Sequence, residues 1–162
     1  QDMVVQVPAG GGNWSTSDRI REATPDDVPA MAALEMSVSG ITRELDYTYC
    51  IRNEREFWHV SVIETPGGEL EGFIISSAHP AVNSLGPCVT TSEDSAAALI
   101  LHELNHHRGR SPVFLIPMEK EKLVRKMYDI GARNCEMHFC QVRGEFKPFD
   151  GVNMPSFLPE TG

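Results

Sequence analysis

The chain has 162 residues, a formal net charge of −9, 41% hydrophobic residues and 23% charged residues. This size and composition predict one soluble domain with a hydrophobic core. The negative charge and the scattered Lys and Arg residues argue against nucleic acids or anionic membranes as partners. No apolar run approaches the roughly 20 residues that are needed to cross a bilayer.

The first 18 residues contain a short apolar stretch and a glycine-rich stretch. Residues 3–7 predict a strand, and residues 8–12 predict a linker. We therefore expect residues 1–18 to be a linker or an edge strand from a preceding domain. This segment has no signal-peptide pattern, which predicts a cytoplasmic protein. The four cysteines form no CxxC pair and are expected to be reduced.

A strand and a helix start open the next region. Residues 19–23 predict the strand, and the run Thr24-Pro25-Asp26-Asp27 follows it. Thr is a good N-cap, Pro suits the first helical position, and the acids suit the positive end of the helix dipole. Gly40 ends this helix, and a second helix is predicted over residues 42–53.

The later elements alternate between strands and helices. Pro and Gly separate them, and residues 144–162 predict a loop with one edge strand. In chain order the elements are strands over 57–63, 70–77 and 84–89, a helix over 92–107, a strand over 112–117, a helix over 119–130 and a strand over 134–142.

The resulting order, β-α-α-β-β-β-α-β-α-β, resembles the GNAT N-acetyltransferase superfamily over about residues 19–144. The run from Arg21 to Asp27 resembles the entry into the family's first strand and helix. Strand 113–117 with the next helix and Gly131-Ala132 resembles a later motif of the family. The resemblance implies an α/β fold with a central twisted mixed sheet flanked by helices. The chain also resembles family proteins that carry two such domains in tandem. Residues 145–162 are expected to be a C-terminal loop or edge segment.

The resemblance implies acetyl-CoA as co-substrate, bound where strands 85–89 and 113–117 splay apart. Prolines in both strands favour the splay because proline cannot donate to a ladder. The expected cofactor-binding residues lie on the first strand and in the loop that leads to a helix N-terminus. They are Gly86, Cys88, Val89, Thr91, Ser92, Ser95 and Ala96.

The cofactor loop departs from the family pattern. Active members have Gln or Arg, two residues, Gly, one residue, then Gly or Ala, whereas residues 91–96 here read Thr-Ser-Glu-Asp-Ser-Ala. Only Ala96 matches. Glu93 and Asp94 place negative charge near the expected diphosphate, and one carboxylate about 4 Å from a phosphate costs about 1 to 4 kcal/mol.

The catalytic candidates are Tyr128 and His79. The family's general acid is a Tyr four residues before the Gly that ends the last helix, a position held here by Met127. Tyr128 is one residue away, which turns a helical side chain by about 100°. His79 lies at a predicted strand end, and histidine is the commonest side chain for proton transfer near neutral pH, so it is a candidate base. Glu35, Glu64 and Glu136 are candidates by residue type alone.

Two further patterns could bind metal. Cys135, His138 and Cys140 could form one such group, but zinc sites usually draw ligands from two loci. Glu136, His138 and Cys140 alternate with Met137, Phe139 and Gln141, as in a plain strand. His102, His106 and His107 share one helix, and His102 and His106 form an i,i+4 pair. No third ligand for this pair is evident, so we expect these side chains to lie on a solvated face of the helix. The sequence therefore predicts no metal site. The last five residues, 158–162, match a sortase pentapeptide, from which no localisation follows.

These patterns support two hypotheses. The first is an acyl-CoA-dependent N-acyltransferase that acts on an unknown small-molecule or peptide amine. The second is a catalytically degenerate GNAT-like domain that binds a ligand, a partner GNAT domain or a second copy of itself.

Overall fold

The structure is a computed structural model and describes residues 1–14 and 16–156. It is an eight-stranded mixed sheet with helices on both faces. The strands are β1 (Asp2–Val4), β2 (Ile20–Glu22), β3 (Trp58–Glu64), β4 (Leu70–His79), β5 (Val82–Thr90), β6 (Val113–Leu115), β7 (Arg133–Asn134) and β8 (Val152–Met154). The helices are α1 (Val28–Ser39), α2 (Glu44–Arg52), α3 (Glu93–Glu103) and α4 (Glu121–Asp129).

The strand order is β2-β3-β4-β5-β6-β1-β7, and β8 pairs with β5. Neighbours from β2 to β5 are antiparallel, whereas β5 and β6 are parallel because α3 connects them. This arrangement confirms the predicted α/β class with a mixed sheet flanked by helices.

Alternation along the strands divides the core into two halves. On β3, Val60 and Val62 face α1 and α2, whereas Ser61 and Ile63 face α3. Successive side chains of a strand point to opposite faces, so one sheet buries both sets. Within residues 1–14 and 16–156, every helix is too short or too polar to cross a bilayer.

The N-terminal strand lies inside the sheet rather than at its edge. Met3 is opposite Phe114 of β6 on one side and Asn134 of β7 on the other, and its side chain is fully buried. Both flanking segments, 1–18 and 145–162, thus add strands to the same sheet. The domain boundaries themselves stay a prediction.

The prediction of a long strand over residues 134–142 is wrong. Only Arg133 and Asn134 form β7, and two more backbone bonds extend the pairing: the Asp2 N–H donates to the Glu136 carbonyl and the Cys135 N–H donates to the Asp2 carbonyl, each at 2.9 Å. In the part of the chain that the structure describes, residues 137–142 pair with no strand. Phe139 is accordingly 87% exposed. The sortase-like residues 158–162 lie outside the described residues.

Candidate functional site

The predicted splay between two parallel strands is present. β5 and β6 pair only at Ser84 with Val113 and at Leu85 with Phe114, and then separate. Beyond that point Cys88–Thr90 pair with β8 instead, antiparallel and on the side away from β4. The chain's own tail therefore lies along the strand edge that the sequence predicts to be open.

Close backbone approach fixes the tail in this gap. Val152 and Met154 are 1% and 0% exposed and belong to the core beneath α3. Gly86 and Gly151 have φ angles of 119° and 138°, a region that strongly favours glycine. A Cβ atom at Gly151 would lie 2.4 Å from the Thr90 carbonyl oxygen, and one at Gly86 would lie 2.8 Å from the Pro155 oxygen.

The N-terminus of α3, where the diphosphate is expected, already holds a carboxylate. Ser92 caps the helix by accepting the Ser95 N–H at 3.2 Å. The Ser95 hydroxyl donates to Glu71 at 2.6 Å, and Arg19 donates to the other oxygen of Glu71 at 2.6 Å. Burial acts to raise the pKa of Glu71, but these donors hold that pKa below its usual value.

The other predicted loop residues take different places. Thr91 is exposed and Ala96 is buried. The Glu93 carboxylate accepts the Leu123 N–H at 2.9 Å and thereby caps the start of α4. Two helix N-termini beside the splay are thus satisfied by the chain's own acids.

A cavity of 240 Å³ opens beside the point where β5 and β6 separate. It lies between that part of β5 and the aromatic side chains of α2 and β3. Its lining residues are Arg43, Asp46, Tyr47, Tyr49, Cys50, Trp58, Ile75, Ser84, Gly86, Pro87 and Ser156.

A buried ionic group supports the cavity wall. Glu35 is 0% exposed and accepts from Arg43 at 2.5 Å and from the Tyr47 hydroxyl. Burial raises the pKa of the Cys50 thiol to about 12 and also raises that of Cys88. Neither thiol is therefore suited to act as a nucleophile near neutral pH.

The two predicted catalytic residues lie outside the lining of this cavity. His79 accepts the Ala81 N–H at 3.1 Å, and its ring contacts Phe57, the neighbour of Trp58 in the wall. Tyr128 is 46% exposed, and its hydroxyl lies 3.4 Å from the Gln1 side-chain oxygen. Their catalytic roles stay a prediction.

The structure also shows where the three carboxylates lie that are candidate bases by residue type. Glu35 is bound as described above, and Glu64 pairs with Arg21 at 2.6 Å. Glu136 is exposed and lies 3.6 Å from His138. None of the three lines the cavity.

The sequence analysis missed a polar cluster at the other end of α3. Buried Glu103 accepts hydroxyl bonds from Ser61 and Ser76, and His102 and His106 lie beside it. The expected solvated face is therefore wrong for His107, which is 0% exposed, and for His102, which is partly buried, whereas His106 is exposed. The signal that could have revealed the cluster is the His-Glu-x-x-His spacing of residues 102–106, a pattern of metal-binding helices.

The family follows from comparison with known proteins. Residues 31–145 match the family described as "Acetyltransferase (GNAT) domain". The match spans most of the chain, so the chain belongs to this family. No curated protein matches the chain.

Solved structures share the fold at low identity. A putative GNAT acetyltransferase from Novosphingobium aromaticivorans has a TM-score of 0.54 at 19% identity, over 82% of this chain and 60% of that one. A GNAT acetyltransferase from Colwellia psychrerythraea has a TM-score of 0.55 at 12% identity, over 82% and 52%. Saccharomyces cerevisiae N-myristoyltransferase, solved with bound myristoyl-CoA and inhibitors, has a TM-score of 0.53 at 10% identity, over 99% and 51%. The chain thus spans between half and three fifths of their lengths.

Proposed function

We propose that this domain is an acyl-CoA-dependent N-acyltransferase with its site at the separation of β5 and β6. The observation that carries the proposal is the splay of these parallel strands beside a cavity, in a chain of the GNAT family. The strand edge suits an extended co-substrate, and the cavity suits the acceptor. The acyl group is acetyl by family resemblance.

The residues fit acyl-CoA only if the tail moves. With β8 paired to Cys88–Thr90, the backbone groups on that side of β5 are engaged, and Glu71 lies where a diphosphate would bind. We therefore propose that co-substrate binding displaces β8 from β5. Gly86, Cys88 and Val89 would then line the thioester end, and Thr91, Ser92, Ser95 and Ala96 the diphosphate end.

The bound thioester supplies an activated acyl group. The amine nitrogen bonds to its carbonyl carbon, the carbon–sulfur bond breaks, and the amine proton goes to a base. In this proposal His79 accepts that proton, directly or through water, and Tyr128 protonates the departing thiolate. Either residue would have to approach the cavity during the reaction.

The cavity favours an amine with an apolar or aromatic part. Tyr49 and Trp58 provide aromatic rings, whose faces attract a cation, and Asp46 provides negative charge at the same wall. The Arg43 charge is already compensated by buried Glu35. We propose that the amine, a small molecule or a peptide, first enters in its protonated form and loses one proton to solvent, which frees the nitrogen lone pair for attack. Its second proton is the one that His79 accepts.

A second candidate is a GNAT-like domain without catalysis that binds a partner domain or a ligand. The observations that favour it are β8 in the cleft and Glu71 at the start of α3. In a tandem protein such a domain would support its neighbour.

Titration calorimetry with acetyl-CoA and with free CoA separates the two candidates. The unchanged chain is compared with Gly151→Ala, whose Cβ would meet Thr90 and loosen β8, and with the matched control Gly68→Ala. Gly68 also has a positive φ, 83°, but nothing within 4 Å of its Cβ position. We expect acetyl-CoA to bind the unchanged chain with a micromolar dissociation constant, and we expect this constant to fall in Gly151→Ala but not in Gly68→Ala. No binding up to millimolar in any variant would overturn the acyltransferase proposal and support the second candidate.

A further inference from the structure

Three side chains at the C-terminal end of α3 bring their ligand atoms together. His102 and Glu103 are the last residues at that end, and His106 lies in the 3-10 turn that follows, Leu104–His107. One ligand atom from each lies within 4.8 Å of the others. The ring of His59, from β3, stacks on that of His106 at 3.8 Å and fixes its orientation.

Glu103 is a buried carboxylate without a cationic partner. It is 0% exposed, and within the described residues no Lys or Arg forms an ion pair with it. The hydroxyls of Ser61 and Ser76 donate to its two oxygens, the latter at 2.5 Å. An ionised carboxylate has about four lone-pair sites, so each oxygen keeps one for a further ligand.

His102 supplies an independent observation that points to a ligand. Its Nδ1 atom is inaccessible to solvent and has no hydrogen-bond partner in the part of the chain that the structure describes. Buried polar atoms are nearly always paired, so an unpaired one calls for an explanation. A bound cation would satisfy this nitrogen and neutralise Glu103 at once.

We propose that His102, Glu103 and His106 bind a divalent transition-metal ion, with zinc as the best match. Two imidazoles and one carboxylate are a recognised zinc ligand set. The His-Glu-x-x-His spacing is a recognised helical source of the two His ligands, and the carboxylate of Glu103 lies close enough to both to be the third. Ser61 and Ser76 act as outer partners that orient the carboxylate.

The site is distinct from the proposed acyl-transfer cleft. The cleft uses the N-terminus of α3, and the metal ligands lie at its other end. The helix has 11 residues, so the two ends are roughly 16 Å apart at about 1.5 Å per residue. The metal would fasten the end of α3 to β3 and β4, because the outer partners of Glu103 come from those strands. Its role is therefore structural, and the inference stands whether or not the domain transfers acyl groups.

The test uses the whole chain, freed of metal by a chelator. Zinc binding is measured by calorimetry, and cobalt binding by visible absorption. The midpoint of thermal unfolding of the chain is measured with and without zinc. We expect one equivalent of zinc, a rise in the midpoint, and a cobalt spectrum without thiolate charge transfer. Ser61→Ala is expected to weaken binding by about 10-fold, since loss of an outer partner has an effect of 10- to 100-fold. His102→Ala and His106→Ala should weaken it more.

His138→Ala is the control, because His138 lies near Asp2 and Glu136 and represents the competing locus. It should leave zinc affinity unchanged. Loss of binding in His138→Ala but not in His106→Ala, a thiolate band with cobalt, or no binding at all would overturn the proposal. His106 is exposed, so His106→Ala should fold even where His102→Ala does not, and circular dichroism confirms the fold of each variant.

Discussion

At the scale of single residues, the molecule buries two carboxylates in different ways. Glu35 is paired with Arg43 and the Tyr47 hydroxyl, whereas Glu103 has only hydroxyl donors within the described residues. A buried charge is tolerated when it is paired and hydrogen-bonded. The first group supports the cavity wall, and the second calls for a cation.

Replacing Glu35 tests the first of these groups. Glu35→Leu leaves Arg43 largely buried and unpaired, and we expect it to lower the free energy of unfolding by about 3 kcal/mol. Urea unfolding measures this loss. The matched control is Glu121→Leu, because Glu121 forms an exposed pair with Arg125 at 3.5 Å and such pairs contribute about 0.5 kcal/mol or less. Equal losses in the two variants would contradict the account.

At the scale of elements, Asp27 joins β2 to the start of the first helix. Its carboxylate accepts two bonds from Arg21, each at 2.8 Å, and one from the Thr24 N–H at 2.7 Å. The hydrogen bonds from Arg21, followed by those from Thr24, lower the pKa of Asp27 from 3.8 to about 2 despite partial burial.

The pH dependence of stability follows from that pKa. Because the pKa is lower in the folded state, the stabilisation is fully present above about pH 4 and is lost as the pH falls towards 2. Asp27→Asn should therefore be less stable than the unchanged chain at pH 5, with a difference that shrinks towards pH 2. Unfolding free energies from pH 5 to pH 2 check this. A difference that stays constant across that range would show that Asp27 is not the titrating group.

Elements with strong local signals could be predicted from the sequence. The helix start after Thr24, the stop at Gly40 and an apolar strand within residues 112–117 were confirmed. A 3-10 turn over Pro25–Asp27 leads into α1, and the strand spans Val113–Leu115. These elements were predictable because capping, glycine and burial act over a few residues. The extent of β7 was not predictable, since it depends on pairing with β1, which lies far away in the sequence. The place of β8 was not predictable either, because three residues in a loop-rich tail pair with a strand more than 60 positions earlier.

The candidate sites show the same division between local and distant signals. The splay was implied by the family resemblance and favoured by prolines in the two strands, but its occupation by the tail was not predicted. The polar cluster was missed because its hydroxyl partners, Ser61 and Ser76, precede Glu103 by 42 and 27 residues. Only folding brings these strands beneath the end of α3.

At the scale of the whole molecule, the GNAT sheet carries a strand of its own tail where the family resemblance places acyl-CoA. The co-substrate and β8 would compete for one side of Cys88–Thr90. Because the contacts of β8 must break before acyl-CoA binds, its affinity is lower than it would be for a cleft that is already open. The central claim is therefore that acyl-CoA and β8 exclude each other.

Amide hydrogen exchange with and without saturating acetyl-CoA tests this claim most directly. We expect faster exchange at residues 152–154 when acetyl-CoA is present, while residues 88–90 stay protected because the co-substrate replaces β8. Unchanged exchange in both segments, at a concentration where calorimetry shows binding, would place the co-substrate elsewhere and contradict the account.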